Sequence, residues 1–438
     1  MNLLLCTLTL WPMLVGPKLD VVAIKVGKAE TITNGTIEHA VILIDNGKIT
    51  AIGEDLPVER GIPVLDRPEW VVMPGLVNPY TRLGLDSRAG SEFNPEVSPL
   101  PELLPRSPEY RRVLEAGVTT LGIYPPGTGV CGQTAAIRPS GGTPKEMLVK
   151  ESAYEKIYFR SDARSKKMVK DAWAKVDDYD EKVKKAKEKW EKDLEKSKSK
   201  KTEKPAEKKE EGKGDDKPKD DEKKEEPKKD DAKPADAKKD EVPAVFVPPE
   251  PDPKVKPFVQ MRDGKMSALV SIGQAGDWLH WIDAIGERKF EWALRVPMTR
   301  ELDLYEVADK IGEKKVRIIL EPELTLFPGT MRQRNLPAEL ATAGAKLVLI
   351  PRNDTVRDHE RWLSNVGEMV GAGLDRAAAL RSVTLEAAGV LGMQDQIGSL
   401  EKGKTANLVF FNGDPLEVGT RVQAVMLEGT FVSGEVKQ

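Results

Sequence analysis

This chain is poor in the residues that build metal sites and crosslinks. Of its 438 residues, three are histidine (His39, His280, His359) and two are cysteine (Cys6, Cys131). So few cysteines, one of them inside the N-terminal apolar run, exclude a disulfide-framed fold. Cys131, in Val130-Cys131-Gly132-Gln133, reads as a small buried side chain in preference to a nucleophile. Three widely separated histidines leave no H-x-H or H-x-x-x-H pair and no Cys/His set of zinc spacing. An excess of one charge is also missing: 68 Lys and Arg against 71 Asp and Glu leave −3, and no basic face interleaved with aromatics points to nucleic acid. No segment is long and apolar enough for a membrane span. Without a Gly-x-Gly-x-x-Gly turn, an open dinucleotide-binding sheet is only the runner-up architecture.

The first 18 residues hold an apolar stretch, Leu3 to Val15, of the length of a signal-peptide core. No Lys or Arg precedes it, Pro12 interrupts it and no small-x-small cleavage site follows. Leu3-Leu4-Leu5-Cys6 resembles a lipoprotein box set too close to Met1. A degenerate export signal is favoured slightly over a cytoplasmic start.

What is present is a strand grammar at both ends and strand–helix alternation between them. Residues 19–70 read as strands, with Asp45-Asn46-Gly47 as a hairpin turn between Ala40–Ile44 and Lys48–Gly53. Residues 397–438 repeat the pattern in Asn407–Phe411, Val422–Leu427 and Thr430–Val432. The two clusters are expected to form one composite β-sandwich. Residues 71–179 and 258–396 carry continuous apolar runs such as Val118–Ile123, Ser267–Ser271, Trp292–Val296, Val316–Leu320 and Ala345–Ile350, with helices between them. Buried parallel strands have this signature, and the expected fold is an α/β, distorted TIM-type (β/α)8 barrel. From 180 to 257 Lys, Glu, Asp, Pro and Ala dominate, and such a polyampholyte is expected to be disordered. Entering it, Trp173, Val176, Val183, Trp190 and Leu194 mark one helical face. Packing on the barrel is the favoured reading of that face, and docking of a partner is the sharper one.

Several signatures coincide with those of one family. Asp45-Asn46-Gly47-Lys48-Ile49 resembles the "DGRIVAIG" hairpin of the amidohydrolase superfamily, and Met73-Pro74-Gly75-Leu76-Val77 resembles its "MPGLID-x-H-x-H" barrel entry. Gly117-Val118-Thr119-Thr120 resembles "GVTT", and Ile397-Gly398-Ser399-Leu400-Glu401 through Asn407-Leu408-Val409 resembles "IGSLEVGKDADLVV". The likeness is greatest to the imidazolonepropionase-like branch and spans all but the charged insert. It implies one or two divalent metals, held by histidines and an aspartate at the strand C-termini, that activate a water to hydrolyse carbon–nitrogen bonds.

The residues at those positions break the pattern. The paired histidines become Tyr80 and Arg82, and the fifth-strand histidine becomes Ser271. Counted from Leu302-Asp303-Leu304-Tyr305, the sixth-strand position is Arg300; the eighth-strand aspartate is Arg352, with Asn353 and Asp354 beside it. Of the histidines, only His359 is placed near the mouth. Arginine stays charged at any relevant pH, and a divalent ion 4 Å from one would be repelled by about 8 kcal/mol at an effective dielectric near 20. No metal or other cofactor is therefore expected, and no catalytic residue is assigned. The expected function is that of a metal-free pseudoenzyme, either the partner subunit of an active amidohydrolase or a homo-oligomer. The alternatives are a binding protein that holds a small anionic ligand through Tyr80, Arg82, Ser271, Arg300 and Arg352, and a divergent hydrolase with metal-free chemistry. Pairing of these arginines with internal acids such as Glu321, Glu323 or Asp354 is favoured over their facing a ligand.

Overall fold

The computed structural model describes residues 21–85, 92–202, 245–300 and 302–434. The expected export signal and most of the charged insert lie outside them. Among the described residues no helix is long and apolar enough to cross a membrane.

Both ends of the chain build one hydrogen-bonded sheet of seven strands. The N-terminal part gives β1 (Val21–Glu30), β2 (Thr36–Asp45), β3 (Lys48–Glu54) and β4 (Val64–Pro74). The C-terminal part gives β15 (Leu408–Phe411), β16 (Val422–Leu427) and β17 (Thr430–Ser433), and the order is β17-β16-β15-β4-β1-β2-β3. The halves join where β15 runs antiparallel to β4, Leu408 opposite Pro74 and Phe410 opposite Val72. The expected hairpin turn has Asn46 at φ 48° and Gly47 at φ 77°, the double left-handed geometry that favours an Asn-Gly pair. Gly47 has a second reason to be glycine: a Cβ there would lie 2.5 Å from the Glu428 carbonyl in the β16–β17 turn. The core of this sheet is drawn from both ends, with Ile24, Ile42 and Val72 packed alongside Leu408, Phe410 and Met426.

The middle of the chain builds a curled eight-stranded sheet. Its strands are β5 (Leu76–Thr81), β6 (Val118–Ile123), β7 (Val130–Ile137), β8 (Leu148–Tyr158), β9 (Ser267–Ser271), β10 (Trp292–Arg295), β11 (Arg317–Leu320) and β14 (Lys346–Leu349), in the order β14-β11-β10-β9-β8-β7-β6-β5. A small hairpin of β12 (Thr325–Leu326) and β13 (Gln333–Arg334) stands apart. Every neighbouring pair in the eight-stranded sheet is parallel except around β7, which runs against both β6 and β8. Here the strand–helix alternation read from the sequence gives way to a meander. The seam between edge strands β14 and β5 is filled by the helix Leu385–Val390, which packs on both; beside it the Val77 amide donates to the Val383 carbonyl at 3.0 Å. Ala387 and Ala388 of that helix enter the same core as Val77, Leu269, Ile319 and Val348. The distorted TIM-type barrel is therefore closed by packing at this seam.

The helix entering the charged region runs from Ala163 to Thr202, well past residue 180, where the disordered insert was expected to begin. Lys, Glu and Ala are strong helix formers, and i,i+4 pairs such as Glu181–Lys185 at 3.7 Å add to that preference. The described residues divide into two compact units, one within 21–174 and 252–434, the other 175–202 with 245–251. In the first, Trp173 packs edge-on to Phe258 at 5.7 Å and against Phe290 at 5.0 Å, as expected of its apolar face. In the second, the returning segment lies on the helix: Phe246 meets Trp190 at 5.8 Å, and the Tyr179 hydroxyl donates to the Pro249 carbonyl at 2.9 Å.

Candidate functional site at the barrel mouth

The mouth is the end at which the parallel strands finish, and its residues are set by register. Tyr158, Ser271 and Arg295 stand side by side at the ends of β8, β9 and β10. Thr81 and Ile123 finish β5 and β6 as neighbours.

Tyr80 on β5 stacks on Tyr124, the residue that follows β6, with ring centroids 4.1 Å apart. Two cations face these rings. Lys156 Nζ of β8 lies 3.8 Å from the Tyr124 centroid and 5.4 Å from that of Tyr80, and the Arg295 guanidinium lies 5.3 Å from Tyr80. Burial, then the neighbouring Tyr80, pushes the Tyr124 phenol far above its ordinary range. Tyr154 beneath is driven the same way by burial, and its hydroxyl donates to the Pro79 carbonyl at 2.8 Å. These two phenols hold their protons at any relevant pH and cannot serve as bases.

Arg295 is locked onto Glu321, the residue after β11. One guanidinium nitrogen, Nη1, donates to Glu321 Oε2 at 3.0 Å and Nη2 donates to Oε1, with side chains only 7% and 13% exposed. The Met298 amide adds a further donor to the same carboxylate at 2.9 Å. A two-pronged pair of this kind uses both carboxylate oxygens.

The remaining acid and imidazole are likewise committed. Asp354 accepts the Thr81 hydroxyl and, at 2.5 Å, the Arg82 amide, tying the loop after β14 to the end of β5. His359 is buried beside it, its Nε2 3.0 Å from Asn78 Nδ2 and its Nδ1 2.7 Å from the Thr355 carbonyl. Asn78 Oδ1 accepts the Tyr80 amide at 3.1 Å, which fixes its Nδ2 as the donor towards the ring. Nε2 therefore accepts, Nδ1 carries the proton, and the imidazole is neutral. Burial lowers its pKa, in the same sense.

The residues singled out from the sequence divide accordingly. Tyr80 and Ser271 stand at the mouth, Ser271 buried with its carbonyl accepting the Phe159 amide. Arg82 is half-buried at the end of β5. Arg352 sits on the rim, where it donates to the Pro322 carbonyl and to Glu368 at 2.8 Å, with Glu323 at 3.7 Å. Arg300 is not brought to this group; it is exposed on the loop after β10, its Nη2 3.4 Å from Met331 Sδ. The arginine that occupies the sixth-strand end is Arg295. Sequence reasoning also missed Tyr124 and Lys156. Tyr124 directly follows the strand read from Val118–Ile123, and Lys156 falls in step with Tyr154 and Tyr158 on β8.

This set does not fit a divalent cation. Among the described residues no three of His, Cys, Asp and Glu converge. Glu321, Asp354 and His359 are each used up by protein partners, and two cations stand among them. His39 is exposed in the terminal sheet, and His280 is half-buried on the helix Ala275–Ile285.

Residues 361–437 match the model of the amidohydrolase family. Among solved structures, an amidohydrolase from Thermotoga maritima is 22% identical with a TM-score of 0.67, over 94% of this chain and 100% of that one. A Xaa-Pro dipeptidase with methionine in its active site is 14% identical (TM-score 0.52; 94% of this chain, 99% of the other). A prolidase complexed with N-methylphosphonate-L-proline is 13% identical (TM-score 0.52; 95% and 100%). No curated protein matches the chain.

Proposed function

We propose that this chain, an amidohydrolase-fold protein by its architecture and by the family match of residues 361–437, performs no metal-dependent hydrolysis and serves as the non-catalytic partner of an active amidohydrolase. The observation that carries the reading is the Arg295–Glu321 pair set against Tyr80. Cations and rings fill the strand ends at which the family resemblance implies metal ligands. A divalent ion placed there would meet Arg295 and Lys156 at close range, and each carboxylate would have to give up an arginine or backbone partner first. An intact core around a mouth of this kind suits a scaffold.

A second reading has one specific observation behind it. Lys156 is buried, and among the described residues no carboxylate lies within 4.0 Å of its ammonium; the two phenol rings are its neighbours. A small anionic ligand could supply the missing counter-charge, with Tyr80 and Ser271 beside it.

The test is metal content by elemental mass spectrometry on protein purified without chelator, before and after excess zinc. Substoichiometric metal in both samples is the expected result. Tightly held metal at one or more per chain would return the protein to the hydrolases. Co-expression with an intact relative encoded by a neighbouring gene then separates the two roles. A stable hetero-oligomer supports the partner subunit; a monomer stabilised by small carboxylates, with the effect lost in Lys156→Met, supports the ligand.

A further inference from the structure

At the opposite end of the barrel, where the parallel strands begin, lies a cavity of about 460 Å3. Its wall is formed by the strand starts Ser267, Trp292, Arg317 and Lys346. Small-molecule sites occupy roughly 300–1,000 Å3, so the space is of ligand size. Four cations line it, Lys150, Lys265, Arg317 and Lys346, against one acid, Glu291.

Two glycines make room for two of these cations. A Cβ on Gly389 would fall 2.3 Å from Arg317 Nε, and one on Gly392 would fall 2.7 Å from Lys150 Nζ. Bare backbone at these positions lets both cationic heads lie on the end of the helix Leu385–Val390. Lys150 donates there to the carbonyls of Leu391 at 2.8 Å and Gly392 at 3.3 Å, neutral acceptors that hold the ammonium without cancelling its charge. Arg317 and Arg381 share the single carboxylate of Glu386, at 3.2 and 3.1 Å. Lys265 reaches Asp263 only at 3.6 Å, and that acid already pairs with Arg262 at 2.8 Å. Among the described residues Lys346 has no carboxylate within 4.0 Å and is exposed. Cations more numerous than their acids and gathered around a ligand-sized space, two held by the fold (Lys150, Arg317) and two exposed beside them (Lys265, Lys346), are the chemistry of an anion site.

We propose that this cavity binds a small multivalent anion of the diphosphate class, independently of whatever the mouth does. Calorimetric titration of the full chain with inorganic pyrophosphate at low salt tests it. One saturable site is expected, weakened at least tenfold in Lys346→Glu and in Lys265→Glu. Lys167→Glu, an equal charge change on the helix that leaves the mouth end, should leave binding within twofold. Thermal melts without pyrophosphate identify any variant that fails to fold, and the two lysine variants back each other up. Absence of saturable binding to the natural chain, unchanged affinity in folded Lys346→Glu and Lys265→Glu, or equal loss in Lys167→Glu would each overturn the proposal.

Discussion

At the mouth, Arg295 has Glu321, Arg352 has Glu368 and Glu323, and Lys156 lies against two phenol rings. At the far end, Arg317 and Arg381 divide one carboxylate, and Lys346 meets none among the described residues. The same residue types thus complete a packed interior in one place and stand around a cavity in the other. The difference lies in the volume of their neighbours. Tyr80, Tyr124 and Tyr154 fill the mouth, whereas at the other end Gly389 and Gly392 admit the heads of Arg317 and Lys150 beside a cavity. A cation by itself says little about function; its counter-charge and the space beside it say more.

The strongest way to break this contrast is to unpair the mouth. Glu321→Ala would leave Arg295 buried without its acid and should cost about 3–5 kcal/mol in urea unfolding. The double change Arg295→Met with Glu321→Leu removes both charges and should fall within about 1–2 kcal/mol of the natural chain. If Glu321→Ala cost nothing, the pair would be a surface-like contact and the filled-mouth argument would fail. At the far end Lys346→Ala removes an exposed cation and should change stability by less than about 0.5 kcal/mol.

A middle-sized effect is expected where the mouth is stitched to the seam. Asp354 holds the buried Thr81 hydroxyl and the Arg82 amide, and replacing it with alanine strands the first and leaves the second to solvent. A loss of about 1.5–3 kcal/mol is expected, of the size measured for hydrogen bonds to charged groups. Hydrogen exchange should show it first at the Arg82 amide. Protection there that matches the natural chain would mean that Asp354 is free for other work.

How much of this was legible in the sequence depended on whether local chemistry or register carried the information. Asp45-Asn46-Gly47 specified its turn because few other residues accept two successive left-handed conformations. The apolar runs of β9, β10, β11 and β14 were readable because both faces of those strands are buried. β8 was not, because its first half alternates exposed and covered residues through Lys150 and Glu151 before five buried ones follow. Arg300 was reached by counting back from Leu302-Asp303-Leu304 across a loop, and loop length is what such counting cannot fix. The end of β10 was the better anchor, and it gives Arg295. Arg352 lies near Glu323, one of the acids expected from charge to pair with the arginines. Glu321 instead meets Arg295, an arginine that charge alone did not single out and that the register of β10 against β11 brings to it.

The effect that probes the mouth's electrostatics most directly is a pH dependence. His359 is buried and neutral, with a pKa below its unfolded value because burial disfavours the cation. Above about pH 6.5 neither folded nor unfolded chain protonates it, so it contributes no slope. As pH falls below that, the unfolded chain takes up a proton that the native state refuses. Stability should then drop by at most about 1.4 kcal/mol per pH unit until the lowered native pKa is reached. His359→Gln keeps a polar side chain near Asn78 but cannot titrate, so its unfolding curves between pH 6.5 and 5 should be flatter than those of the natural chain. Equal slopes would place the acid sensitivity elsewhere and would mean that His359 takes a proton in the native mouth, with Asn78 turned to present its oxygen. At the far end, where Lys346 and Lys265 are exposed, Lys346→Gln removes a cation at the opposite end of the strands from His359 and should leave that slope unchanged.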